Sequence, residues 1–156
     1  MRTYSKEEWK VSLGDFHPEY RTVLLRRPDA EYKDYEVVMV DSSKLMAFTE
    51  NGPHSMVIAP VAQWTPKKRN VIFSFLRPPG SVPMPKVSFI KQDAFIKVRK
   101  WFVFTSKRPT TQYLVSYAEG RHRARYLHDA GATCFPVLCH KSEAAALIRH
   151  CGSPSS

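Results

Sequence analysis

Long apolar runs are missing from this sequence. The longest nearly apolar stretches, Met56 to Trp64 and Val71 to Leu76, fall far short of the roughly 20 residues that a bilayer requires, so no membrane span is expected. Charge at Met1 to Lys10 with no apolar stretch behind it argues against a secretory signal. Cysteine is scarce: Cys134, Cys139 and Cys151 are the only three, an odd number crowded towards one end. That usage suits a reducing compartment better than a disulfide scaffold, and a cytoplasmic protein is expected. Even with His140 and His150 close by, the spacing lacks the intervals of a closed zinc site. Cys134 and Cys139 lie five residues apart, which places them on opposite faces of a strand, so buried thiols are the simpler reading. Acidic residues are few in one half only. Residues 79–156 carry twelve basic and four acidic side chains, a balance of +8, whereas residues 1–78 carry twelve and ten, a balance of +2.

What is present describes an ordinary globular chain. Its 156 residues are 43% hydrophobic and 24% charged, with a net charge of +10, enough apolar material for one core and too short a chain for two large domains. A half that is basic throughout attracts polyanions, nucleic acid first, then nucleotides, then anionic membrane. Solvated basic surfaces are equally common, so charge needs a motif before it indicates a function.

Local patterns divide the chain at a proline cluster. Tyr20 to Leu25 and Glu36 to Val40 read as strands. Asp41-Ser-Ser-Lys is turn-like and can open a short helix, and Asn51-Gly-Pro-His is a breaker. Ser55 to Val61 and Asn70 to Leu76 read as two strands of a hairpin around the basic loop Thr65-Pro-Lys-Lys-Arg, which could touch DNA phosphates. Arg77-Pro-Pro-Gly-Ser-Val-Pro-Met-Pro holds four of the twelve prolines, and neither a helix nor a central strand can cross it. A β-rich extension, 1–78, packed on a unit at 79–156 is expected, the two forming one compact domain. In the second part Lys86 to Ile90 reads as a strand and Asp93 to Trp101 as an amphipathic helix running into Phe102 to Thr105. Lys107-Arg-Pro-Thr-Thr reads as a turn and Gln112 to Ala118 as a strand. Arg121 to Asp129 reads as a helix stopped at Ala130-Gly131-Ala132, Cys134 to Cys139 as a strand, and Lys141 to His150 as a closing helix capped by Ser142. Trp101, Phe102 and Phe104 read as core residues. The fold class expected is α+β, a mixed sheet with packed helices.

The segment with chemistry in it runs from Tyr113 to Leu138. A strand ends at Gly120 and the chain turns at once into a helix whose first turn holds Arg121, His122 and Arg123. Free amides at a helix start favour an anion, and guanidinium groups add charge-assisted bonds to phosphate oxygens. The spacing therefore describes a phosphate pocket, although an exposed basic helix that needs Gly120 only for its turn is the plainer alternative.

Gly120-Arg-His-Arg-Ala-Arg-Tyr-Leu, followed by Ala130-Gly-Ala and Phe135-Pro-Val, resembles the Gly-x-x-Arg box of the ParB and sulfiredoxin superfamily. The likeness is close over about thirty residues and loose over 82–150; the first eighty residues lie outside it. The resemblance implies a ParB/sulfiredoxin-like fold whose box cradles nucleotide phosphates. Sulfiredoxins place a cysteine where this chain has Arg121, so sulfinate reduction is not expected. Partition proteins continue into DNA-binding and dimerisation regions, whereas this sequence runs only to Ser156, so a full partition protein is not expected either. What remains looks like the plasmid fertility inhibition proteins of the Osa and FiwA kind. That branch implies nucleotide and DNA binding, ATPase and DNase activity, and inhibition of conjugative transfer through a type IV secretion system. A non-catalytic adaptor that blocks the transfer coupling protein sterically is the rival reading.

Site residues follow from the resemblance and from side-chain chemistry together. Arg123 stands at the family's arginine position and should hold a phosphate. Arg121 and Arg125, two residues to either side, can serve the same anion or neighbouring DNA backbone. Glu119 could bind Mg²⁺ or position water for attack on a phosphodiester or on ATP; it could equally balance the arginines. His122 could act as general acid or base, or only as a hydrogen-bond donor to phosphate. ATP and Mg²⁺ are the implied cofactors.

Overall fold

The computed structural model describes residues 7–15, 17–28, 33–50, 58–99 and 105–154, with backbone alone for 92–99 and 105–111. In chain order the elements are β1 (Glu8–Ser12), β2 (Thr22–Arg26), β3 (Tyr35–Asp41), α1 (Ser42–Glu50), α2 (Pro66–Phe75), β4 (Ser81–Pro83), β5 (Lys86–Arg99), β6 (Thr105–Glu119), α3 (Arg121–Asp129), β7 (Cys134–His140) and α4 (Lys141–Cys151), with a 3₁₀ turn at Val61–Gln63 before α2. The architecture is α+β with mixed sheets. A three-stranded sheet has the order β1-β2-β4 and a four-stranded sheet the order β3-β7-β5-β6. Among the described residues no helix is long and apolar enough to cross a membrane.

The four-stranded sheet is assembled from both sides of the proline cluster. β3, which precedes it, pairs antiparallel with β7 over seven residues, from Tyr35↔His140 to Asp41↔Cys134. β7 is buried from Phe135 to Cys139, as expected of a strand covered on both faces, which reads as a continuous apolar run instead of an alternating one. Its ladder with β5 is parallel and spans only Lys86↔Leu138 and Val87↔Cys139. Pro136 therefore sits where β7 has β3 alone beside it, and its missing N–H costs no bond on the β5 side. The proline cluster itself contributes β4, a three-residue edge strand parallel to β2.

Helices α1 and α4 pack on the four-stranded sheet, burying Leu45 and Met46 from one and Ala144 and Leu147 from the other. Each fully buried Leu, Val or Phe contributes roughly 1.5–3 kcal/mol of transfer free energy. Asp41 opens α1 by accepting the Lys44 N–H at 2.9 Å, so the turn-like Asp41-Ser-Ser-Lys does start a helix. At α4 the cap is His140, two residues earlier than the expected Ser142. Its Nδ1 accepts the Ser142 N–H at 3.1 Å and lies 2.7 Å from the Ser142 hydroxyl.

Three local expectations are corrected. Thr65-Pro-Lys-Lys-Arg is no hairpin loop: Thr65 accepts the Lys68 N–H at 3.3 Å and caps α2, with Pro66 in the first helical position. Threonine before proline is a helix start, because the hydroxyl takes a free amide and proline has none to lose. Over Asp93 to Arg99 the expected Asp93–Trp101 helix is replaced by β5, which pairs antiparallel with β6 from Lys86↔Glu119 to Arg99↔Thr105. Lys107-Arg-Pro-Thr-Thr lies within β6 and not in a turn. Pro109 is tolerated there because β6 is an edge strand. The expectations for Asn51 to His54, the start of the supposed Ser55 strand, Trp101, Phe102 and Phe104 fall outside the described residues.

A buried histidine ties the first sheet to α3. His17 is 5% exposed; its Nδ1 accepts the Tyr20 N–H at 3.4 Å, and its Nε2 lies 3.0 Å from the Tyr126 hydroxyl. An amide donor on Nδ1 requires that nitrogen to be unprotonated, so the neutral tautomer carries its proton on Nε2. Burial first, then the charge of Arg21, lowers the His17 pKa below 6.5, with Glu19 opposing. The unfolded chain then binds more protons below that value, so stability is full above about pH 6.5 and falls as pH drops through it, by at most about 1.4 kcal/mol per unit for this group. Urea midpoints should be level from pH 7 to 8 and decline towards pH 5.5, and His17→Gln should flatten that decline. An undiminished decline in the variant would place the titration elsewhere.

Candidate functional site

The helix start at Gly120 lies in a cleft of about 470 Å³. Ile72 and Phe75 of α2 line it on one side, and Tyr117 to Arg123 line it on the other. Gly120 has φ +82° and caps α3 with no side-chain hydrogen bond, and among the described residues no side chain accepts a hydrogen bond from the first-turn amides. Two constraints require glycine. The left-handed φ disfavours any Cβ, and a Cβ here would lie 2.9 Å from the Cα of Pro85 and 3.2 Å from the Arg123 guanidinium.

The structure brings Glu119, Gly120, Arg121, His122 and Arg123 to the cleft and leaves Arg125 out of its lining. Arg121 is exposed and, among the described residues, forms no ion pair. Arg123 is half-buried; its guanidinium donates to the Pro83 carbonyl and lies 5.8 Å over the Phe75 ring. Burial first lowers its pKa, Glu119 opposes that, and Arg26 adds to it; the group stays charged. Arg125 is paired with Asp129 at 3.2 Å and Glu50 at 3.7 Å and its side chain is 13% exposed. The fold spends it on binding α3 to α1, with the same Asp129 carboxylate also accepting the Val61 N–H at 2.7 Å.

His122 stands between this cleft and a second hollow of about 390 Å³ that Thr65, Lys67, Lys68, Val71 and Ile72 line with it. Its ring meets the edge of Trp64 at 5.6 Å. Burial, then Lys68 and Arg121, hold its pKa below 6.5, so near neutrality the imidazole is uncharged. An uncharged imidazole can accept a proton from water or donate one hydrogen bond to phosphate; it is a poor reservoir of acid at that pH.

Glu119 ends β6, is exposed, and is the only carboxylate among the described residues that line the cleft. Magnesium usually sits on one or two carboxylates completed by phosphate oxygens and water. One carboxylate among Arg121, Arg123 and His122 fits Mg²⁺ only when a polyphosphate carries it in. There the ion would neutralise phosphoryl charge. Among the described residues no three His, Cys, Asp or Glu side chains gather as a metal site. Burial pushes the Cys139 and Cys151 thiols up to about 12, leaving both protonated and inert.

Sequence reasoning missed α2. Ile72 and Phe75 wall the cleft, Lys68 acts on His122, and Arg26 of β2 acts on Arg123. The signal available was Thr65-Pro66 read as a helix cap; no local pattern connects Arg26 to the cleft.

The cleft thus joins a glycine-led helix start to a cationic lining within an α+β fold. The chain belongs to the plasmid fertility inhibition factor family, whose model matches residues 37–152 and so includes the whole box. It is similar in structure to an oncogenic suppression activity protein, a plasmid fertility inhibition factor whose crystal structure was solved as a gold(I) cyanide derivative. The TM-score is 0.67 at 19% identity, over 97% of this chain and 72% of that one. No curated protein sequence matches the chain.

Proposed function

We propose that this fertility inhibition factor takes the phosphates of a nucleotide or a DNA strand into the cleft at Gly120, and that hydrolysis there stops conjugative DNA transfer through a type IV secretion system. The observation that carries the reading is convergence. Uncapped amides, Arg121, Arg123 and a neutral His122 line one cleft with a single carboxylate among the described residues, Glu119. ATP with Mg²⁺ is the nucleotide form this donor set suits. Arg121 and Arg123 hold the anion, and Glu119 orients water or contributes an oxygen to phosphate-borne Mg²⁺.

The cleanest probe is Arg121, since Arg123 also supports the Pro83 carbonyl and its loss would disturb the fold. Replacing Arg121 by Ala removes a charge-assisted contact worth roughly 1.5–3 kcal/mol, a ten- to hundredfold loss of affinity. Calorimetry with ATP and Mg²⁺ should read that loss, together with weaker inhibition in a mating assay. Equal binding by wild type and a folded Arg121→Ala protein would remove the nucleotide from this cleft.

The adaptor reading has one observation of its own. Val71 and Phe75, four residues apart on α2, are 60% and 50% exposed beside the cationic cleft, an apolar ridge on which a partner such as the coupling protein could seat. Val71→Asp that leaves ATP hydrolysis intact and abolishes inhibition would favour this second reading.

A further inference from the structure

A separate cavity of about 410 Å³ lies at the other end of α3 from the cleft. Pro18, Pro60, Val61 and Ala62 supply much of its apolar wall, and His17, Tyr126 and Asp129 its polar groups. The volume suits one small molecule. None of the wall residues has a long flexible side chain, so covering them costs little rotamer freedom. The polar groups are equally fixed. The His17 ring lies 4.2 Å from the Tyr20 ring and 5.4 Å from that of Phe73, and the Tyr126 hydroxyl is shared between His17 and Tyr20.

Internal hydrogen bonds use all but one of the side-chain acceptors on this lining. His17 Nδ1 takes the Tyr20 N–H, and Nε2 faces the Tyr126 hydroxyl. Asp129 differs: the Val61 N–H at 2.7 Å and the Arg125 Nε at 3.2 Å both donate to Oδ2. Among the described residues Oδ1 has no partner, and the side chain is 21% exposed. An acceptor left open on an apolar wall favours a ligand that brings a donor and rejects the same shape carrying an acceptor. Arg125 already offsets the Asp129 charge, and the chain as a whole carries +10. A cationic ligand therefore gains little here and approaches against the overall field, whereas a neutral N–H group meets the open oxygen without that cost.

We propose that this cavity binds a small neutral aromatic molecule bearing an N–H donor, of which indole is the simplest, with its ring against the proline-walled side and its N–H on Asp129 Oδ1. The site is distinct from the cleft and needs neither nucleotide nor nucleic acid, so it stands whether or not the cleft hydrolyses ATP. Its wall includes part of the turn at Val61–Gln63 that leads into α2 and the last turn of α3. Those two helices also wall the cleft, so an occupant bears on both.

Calorimetry on the full chain compares indole with benzofuran, an isostere that has an acceptor oxygen in place of the N–H. Wild type should bind indole in the millimolar range or tighter, as expected of so few atoms, and benzofuran at least about tenfold more weakly. In NMR spectra the Val61 amide, bonded to the same carboxylate, should shift as indole is added. Ala62→Phe, at an exposed position on the lining, should fill the cavity and abolish indole binding, with a melting curve to confirm the fold. Arg121→Ala should bind indole as wild type does, which separates failure of this site from failure of the cleft. Equal affinity for indole and benzofuran, full indole binding by a folded Ala62→Phe protein, or its loss in Arg121→Ala would each overturn the proposal. So would absence of binding at millimolar indole. Tighter binding of N-acetyltryptophanamide than of indole would overturn it too, because the cavity would then take a partner's side chain and not a free molecule.

Discussion

Glu119→Gln is expected to abolish nucleotide and DNA hydrolysis while leaving the fold and the phosphate affinity in place. The residue is exposed at the end of β6 and makes no hydrogen bond or ion pair among those the described residues show, so the amide should cost little stability. Removing one negative charge from a lining that otherwise holds Arg121, His122 and Arg123 should raise affinity for a polyanion, if it changes it at all. A residue that positions water or completes a phosphate-borne Mg²⁺ contributes on the order of 10²- to 10⁴-fold to rate, so a single-turnover assay should show turnover collapsing with affinity retained. Mating assays should then show conjugation restored. A folded Glu119→Gln protein with no hydrolytic activity and full inhibition of transfer would defeat the catalytic mechanism and leave the adaptor.

Gly120→Ala is expected to be severe in the other direction, destroying the site through the backbone. A non-glycine residue at φ +82° costs roughly 1–2 kcal/mol. The added Cβ also meets the Pro85 Cα at 2.9 Å, a backbone atom that cannot swing away, at an overpacking cost of about 1–3 kcal/mol. The melting temperature should fall on the order of 10 °C, and ATP binding should weaken because the first turn of α3 is displaced from the cleft. Gly131→Ala supplies the control: it shares a positive φ, +96°, at the far end of α3, so it should cost stability and spare ATP binding. A Gly120→Ala protein that melts within about 2 °C of wild type would show that the turn tolerates a side chain.

Whatever is decided within one turn of chain was legible in the residues. α3 begins and ends where Gly120 and Ala130-Gly131-Ala132 indicate, because a left-handed glycine and a run of helix formers act locally. β7 follows from an unbroken apolar run, and β2 and β3 from β-branched stretches. The cleft residues from Glu119 to Arg123 are contiguous, so their meeting needed only the turn.

Tertiary structure decided what depends on distant partners. Asp93 to Arg99 has the mixed polar and apolar spacing of an amphipathic helix, yet it forms a strand because β6 returns to pair with all seven of its positions; strand preference is set by cross-strand neighbours that no local window contains. The same holds for the box itself. Arg123 and Arg125 look equivalent two residues apart, but a helix turns by about 200° over that interval, which carries Arg125 away from the cleft towards Glu50 and Asp129 and leaves Arg123 against Pro83 and Phe75. Charge and local conformation are written residue by residue, whereas which cation remains for a ligand is determined by the carboxylates and walls that folding brings to it from elsewhere in the chain.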